Sequence, residues 1–122
     1  MKVAIQGIKG SFHHIVAEQY FAKDSFQLAL NGNDNYPGFL DIIGDYSGMT
    51  QASNLAQYYA GISYLNLGDY ENALSHLSKF SGSDEIVSSM ALGAMGDAHS
   101  ELGNLDKGIS FYKKAANNSK NE

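Results

Sequence analysis

Four histidines, at positions 13, 14, 76 and 99, come first, because imidazole is the commonest metal ligand and general base. His13 and His14 are adjacent, so on a helix they diverge by about 100°, and neither has a histidine four residues away to complete a metal pair. His99 falls at an aromatic packing position and His76 on a second helix, partly exposed, and the expected role of both is structural. Asn31, Asn33, Asp34 and Asn35 are oxygen-rich like a calcium loop. Counted from Asn31, however, the sixth residue is Tyr36, where a glycine is needed, and the twelfth is Ile42, where a glutamate is needed. Gly7 to Ser11 ahead of a helix could offer backbone N–H groups to an anion, yet it lacks the Gly-Lys-Ser/Thr ending of a phosphate loop. No serine, histidine and acid set, and no carboxylate pair, stands out from helix-surface placement. The expectation is a non-enzyme without metal or cofactor.

The elements that would position any site follow from composition and pattern. A chain of 122 residues suffices for one modest domain, able to bury roughly two-thirds of the surface its unfolded form exposes. With 43% hydrophobic residues and a single proline, it reads as globular. It has no cysteine, which excludes disulfides, thiolate metal sites and a cysteine nucleophile. The net charge is -5 and every basic residue is lysine, so the planar guanidinium that grips phosphates and guanine edges is missing and nucleic acid is not expected as a partner. No run approaches the roughly 18 to 20 apolar residues of a membrane span, and Met1 to Gly10 has too short an apolar stretch for a signal peptide, so a cytoplasmic chain is expected as written.

Sliding the sequence against itself by 35 residues matches Gly61 with Gly96, Tyr64 with His99, Leu67 with Leu102, Gly68 with Gly103 and Asp69 with Asn104. The match runs on through Ala73 with Gly108, Leu74 with Ile109 and Leu77 with Tyr112. Each copy parses as two amphipathic helices meeting at a glycine. Leu55, Tyr58, Tyr59, Ile62 and Leu65 recur at helical steps before Gly68-Asp69, and Tyr70, Ala73, Leu74, Leu77 and Phe80 resume them. Met90, Leu92, Met95, Ala98 and Leu102 precede Gly103-Asn104 in the second copy, followed by Leu105, Ile109, Tyr112, Ala115 and Ala116. Gly68 and Gly103 suit left-handed helix caps. Ser81 to Glu85 should end one hairpin and cap the next. Gly61 and Gly96, unfavourable in isolation, recur where a paired helix must come close.

These residues, above all "YAGISYLNLGDYENALSHL" from Tyr59 and "MGDAHSELGNLDKGISFYKKA" from Met95, resemble the tetratricopeptide repeat (TPR) family, whose unit is roughly 34 residues of helix-turn-helix. The departures are His99 in place of tyrosine and Gly108 in place of alanine, the latter costing about 1 kcal/mol of helix stability. The resemblance implies an all-α fold of TPR-like repeats forming a short right-handed solenoid, with repeats at about 54–88 and 89–120. A degenerate earlier copy is read at about 11–46, from Ala17, Tyr20, Phe26, Ala29 and Leu30, followed by a turn-rich stretch and a short helix over Phe39 to Tyr46 with Pro37 in its first turn.

Two further resemblances concern the beginning. "EQYFAKDSFQLALNG" and "YPGFLDIIGDY" look like the start of the soluble domain of membrane-anchored bacterial TPR proteins, which would make relatives membrane-associated or periplasmic. Residues 1–21 instead resemble the opening of prephenate dehydratase, on Val3-Ala4-Ile5 and Gly7 to Phe12. That enzyme's Thr-Arg-Phe motif cannot occur without arginine, so a fusion with an inactive fragment is the alternative reading. The division expected is an extension over 1–16 and a repeat domain over 17–120.

In TPR proteins the first helices of successive repeats line a concave groove. The resemblance therefore implies partner contacts at Leu55, Tyr58, Ile62, Leu65, Met90, Asp97 and Glu101, together with Gly93 and Ser100. The groove would run from apolar to acidic, with Tyr58 and Met90 as anchors. The carboxylate-clamping lysine and asparagine of some TPR domains do not occur at these positions, which favours an amphipathic or basic protein segment as partner. Leu55, Tyr58 and Ile62 could instead pack on the short helix holding Phe39 and Ile43, or the same face could join two copies in a homodimer.

Overall fold

The computed structural model describes residues 23–45, 50–82 and 84–120. Over these residues the chain is an all-α, short helical-repeat solenoid: α1 over 23–31, α2 Phe39–Asp45, α3 Gln51–Leu67, α4 Tyr70–Lys79, α5 Glu85–Glu101 and α6 Leu105–Lys120. Successive helices from α2 to α6 pack on one another, and α3 also touches α5. The extension over 1–16, Ala17 and Tyr20 of the degenerate copy, and His13 and His14 all lie outside the described residues.

The turn-rich stretch after α1 is held by its own polar groups. Asn33 Oδ1 accepts from the N–H groups of Asn35 (2.8 Å) and Tyr36 (2.9 Å), an Asx-type turn that occupies this oxygen with backbone donors. Gly32 takes a positive φ of 69° and pairs across the turn with Pro37. Pro37 therefore precedes α2 and is not in its first turn. Gly38 supplies the N–H that Asp41 Oδ2 accepts at 2.9 Å, a donor that proline lacks.

Each hairpin is closed by the same backbone geometry. At the end of α3, Gly68 sits at φ 82°, its N–H reaches Leu65 O (3.1 Å), and the Asp69 N–H reaches Tyr64 O (2.9 Å). Thirty-five residues on, Gly103 sits at φ 88°, with Gly103 N–H on Ser100 O (3.0 Å) and Asn104 N–H on His99 O (2.8 Å). Positive φ is what a glycine tolerates and an L side chain resists, so both caps are written in the sequence. Starts are equally explicit. Thr50 caps α3 through Ser53 N–H, and Asp84 caps α5 by accepting from Ile86 N–H (2.8 Å) and Val87 N–H (3.3 Å).

Gly61 and Gly96 carry the close approach of the paired helices. A Cβ on Gly61 would lie 2.5 Å from Leu77 Cγ, and one on Gly96 would lie 2.6 Å from the Tyr112 ring. Gly108, opposite Gly96, is buried too, and a Cβ there would collide with the Ser100 hydroxyl. The glycine where the family pattern has alanine thus accommodates Ser100. A cluster of Tyr58, Leu77, Ala91 and Ala94, flanked by Ile62, Leu65, Phe80, Val87 and Met95, joins the two hairpins into one core. Alanines 60, 73 and 98 are fully buried at helix crossings, where a larger side chain would hold the helices apart. Leu30 of α1 is likewise fully buried.

Candidate functional site

The α5 helix presents one largely open strip, which meets α6 where the Tyr112 hydroxyl reaches Asp97. Ile86, Met90, Gly93, Asp97 and Glu101 follow one another at steps of three and four and therefore share a face. Ile86 is 72% and Met90 56% exposed, Asp97 and Glu101 are exposed, and nothing lies within 4 Å of where a Gly93 side chain would begin. The strip runs from thioether and aliphatic groups at its N-terminal end to two carboxylates at its C-terminal end. Ile86 was not among the residues singled out from sequence, although extending the strip back by four from Met90 finds it.

On α3 the equivalent strip is less open. Leu55 is exposed, Ile62 and Leu65 are half-buried against the core cluster, and Tyr58 is buried. Tyr58 is thus a core residue, where the groove reading made it a surface anchor. Its ring packs on Phe80 (centroids 5.4 Å) and Tyr59 (5.3 Å), and burial, with the neighbouring Tyr59 second, raises its phenol above the usual value. The alternative in which α3 packs on the short helix is realised through another residue: Phe39 of α2 stacks on Tyr59 at 5.5 Å.

Leu55 opens into a depression of about 590 Å³ at the mouth between α3 and the α4–α5 connection. Its floor is Leu55, Phe80 and Val87, and Thr50, Gln51, Asn54 and Asp84 form a polar rim. Asn54 holds this mouth in shape, its side-chain oxygen accepting from Ser81 N–H (2.9 Å) while its amide donates to Ser81 O.

Asp97 also accepts a hydrogen bond from the Tyr112 hydroxyl, which holds the phenol above its ordinary value. An ionised carboxylate has further acceptor sites, so Asp97 remains able to take a cation from solvent. The two described histidines are packed between helices. His76 Nδ1 is 2.7 Å from Gln57 Oε1 and its ring stacks on Tyr64 at 5.4 Å, while His99 stacks on Phe111 at 5.2 Å with its Nδ1 lacking a hydrogen-bond partner. Burial first, then Lys79 for His76 and Lys107 for His99, lowers both imidazoles below the usual value. Among the described residues no helix is long and apolar enough to cross a membrane.

Two tetratricopeptide repeat family models match the chain, one over residues 55–82 and the other over residues 91–122. These spans fall on the α3–α4 and α5–α6 hairpins. No curated protein and no solved structure matches it.

Proposed function

We propose that this chain, a tetratricopeptide repeat protein by its two matched hairpins, is a non-catalytic interaction module that holds a basic, amphipathic protein segment along the exposed faces of α5 and α3. The observation that carries this reading is the order of groups on α5. Exposed Ile86 and Met90 give way over about four helical turns to Asp97 and Glu101. A segment with apolar groups at one end and lysine or arginine at the other matches that order, and Met90 adapts to varied side chains. Leu55 and the depression beside it extend the apolar end by a further pocket. The net charge of -5 draws a basic partner in, with an effect that fades as salt rises.

The test is a pair of synthetic peptides with identical leucine spacing, one bearing lysines and one glutamates, titrated against the full chain by fluorescence anisotropy. The lysine peptide should bind saturably, several-fold more weakly to Met90→Ala and about tenfold more weakly to Glu101→Lys, while the glutamate peptide does not bind. Equal binding of both peptides, or binding untouched by these substitutions, would sink the proposal.

A further inference from the structure

The outer face of α6 is apolar at its centre and charged at its ends, and it meets the α5 strip at Tyr112, whose hydroxyl donates to Asp97. Leu105 is 62% and Ile109 52% exposed, with Tyr112 at 41% and the preceding Leu102 at 39% beside them. In the first hairpin the position equivalent to Ile109 is Leu74, which is half-buried. Next to this apolar strip runs a shallow depression of about 450 Å³, lined by Asp106, Ile109, Ser110, Lys113, Lys114 and Asn117. These residues recur at three- and four-residue steps along one side of the helix.

The charge order along that side is self-complementary. Asp106 and Lys113 are seven residues apart, about 10 Å along the axis, which is too far for an ion pair within the helix. Neither forms an ion pair among the described residues. If a second copy of α6 lies antiparallel across the first, with a two-fold axis beside Ile109 and Ser110, each Asp106 comes opposite the other copy's Lys113. The two Ile109 side chains meet at the axis, and Leu105 of each copy comes against Tyr112 of the other. A parallel arrangement would set Asp106 against Asp106 and Lys113 against Lys113, with Lys114 adding to the repulsion. An isologous contact therefore satisfies both the apolar strip and the charges flanking it.

We infer that the outer face of α6 is a homodimer interface, formed by a second copy packed antiparallel across Ile109. One helix face offers less area than the roughly 800 Å² per partner of a standard stable interface, so association should be weak, with a dissociation constant on the order of 10 to 100 μM. The inference does not rest on the partner-binding reading of α5, and the two faces can fail separately.

Sedimentation velocity of the full chain, from about 1 μM to about 500 μM, tests it. A monomer–dimer equilibrium is expected, abolished over this range by Ile109→Lys. Asp106→Lys and Lys113→Asp should each weaken association at least fivefold, and the double swap Asp106→Lys/Lys113→Asp should restore it. All three positions are exposed, so unchanged helical circular dichroism and melting temperature at low concentration should accompany the loss. A monomer at every concentration, or a dimer indifferent to Ile109→Lys and to the charge swaps, would overturn the inference. In the first case the strip is bare or serves another chain.

Discussion

The hairpins α3–α4 and α5–α6 share one backbone plan and differ in what covers them. The first is packed between α2 on one side and α5 on the other. Among the described residues, the second has a neighbouring helix pair on one side only. Equivalent positions record this difference. Leu77 is 1% exposed beneath Gly61, whereas Tyr112 beneath Gly96 is 41% exposed. Tyr58 and Phe80 form a large aromatic pair at the junction with α5, and the residues 35 further on are Gly93 and Ala115, both small. The comparison teaches that a repeat specifies its turn and its internal helix crossing locally, while the sizes of its outward side chains are set by the next element.

The sharpest break in the comparison comes from truncating the equivalent residues Leu77 and Tyr112. Leu77→Ala removes a fully buried side chain from the cluster joining the hairpins and should cost about 3 kcal/mol, whereas Tyr112→Ala should cost about 1 kcal/mol. Urea unfolding of both variants at low micromolar concentration measures the gap. Equal losses would mean that the second hairpin is as enclosed as the first.

The same contrast explains what was legible in the sequence. The caps at Gly68 and Gly103 and the close approach at Gly61 and Gly96 depend on residues within one hairpin and are exposed by the 35-residue match, while the aspartate cap at Asp84 is written in the connection itself. Met90, Asp97 and Glu101 were singled out through the family resemblance, and all three are exposed on α5. The burial of Tyr58 was not readable from its own helix. It depends on Phe80, from the end of α4, and on the approach of α5, whose Ala91 and Ala94 leave room in the same cluster. A signal was nevertheless present, since positions 58 and 80 are both large while positions 93 and 115 are both small, as expected of residues that touch. The extension over 1–16 and the first residues of the degenerate copy, Ala17 and Tyr20, lie outside the described residues.

A finer test compares the two helix-crossing glycines. Alanine at either site gains helix propensity of somewhat under 1 kcal/mol but adds a Cβ inside contact distance. At Gly61 the obstructing atom is the branch point of Leu77, held on all sides, so Gly61→Ala should be destabilising by about 2 kcal/mol net. At Gly96 the obstruction is the edge of the Tyr112 ring, which can move towards solvent, so Gly96→Ala should lie within about 1 kcal/mol of the parent. By melting temperature, the first should fall several degrees further than the second. The reverse order would show that the second crossing is the more rigid.

The smallest expected effect distinguishes the two ring stacks, in which the histidine changes helices. In the first hairpin His76 on α4 faces Tyr64, and in the second His99 on α5 faces Phe111. Burial is the main cause lowering both imidazoles in the folded chain, so between the folded value and the ordinary one near 6.5 the unfolded chain binds more protons. The stabilisation from the neutral rings is therefore complete above about pH 6.5 and is lost as the pH falls towards the folded values. Melting temperature should decline from pH 7.5 to pH 5. His99→Phe keeps an aromatic ring against Phe111 and removes a buried Nδ1 that has no partner, so it should flatten this decline and raise the melting temperature at pH 5. His76→Phe should flatten the decline as well, but it leaves Gln57 Oε1 without its donor and should lower the melting temperature across the range. If His99→Phe follows the parent down through this range, the stack in the second hairpin does not sense protonation, and the two hairpins differ in their electrostatics as well as in their covering.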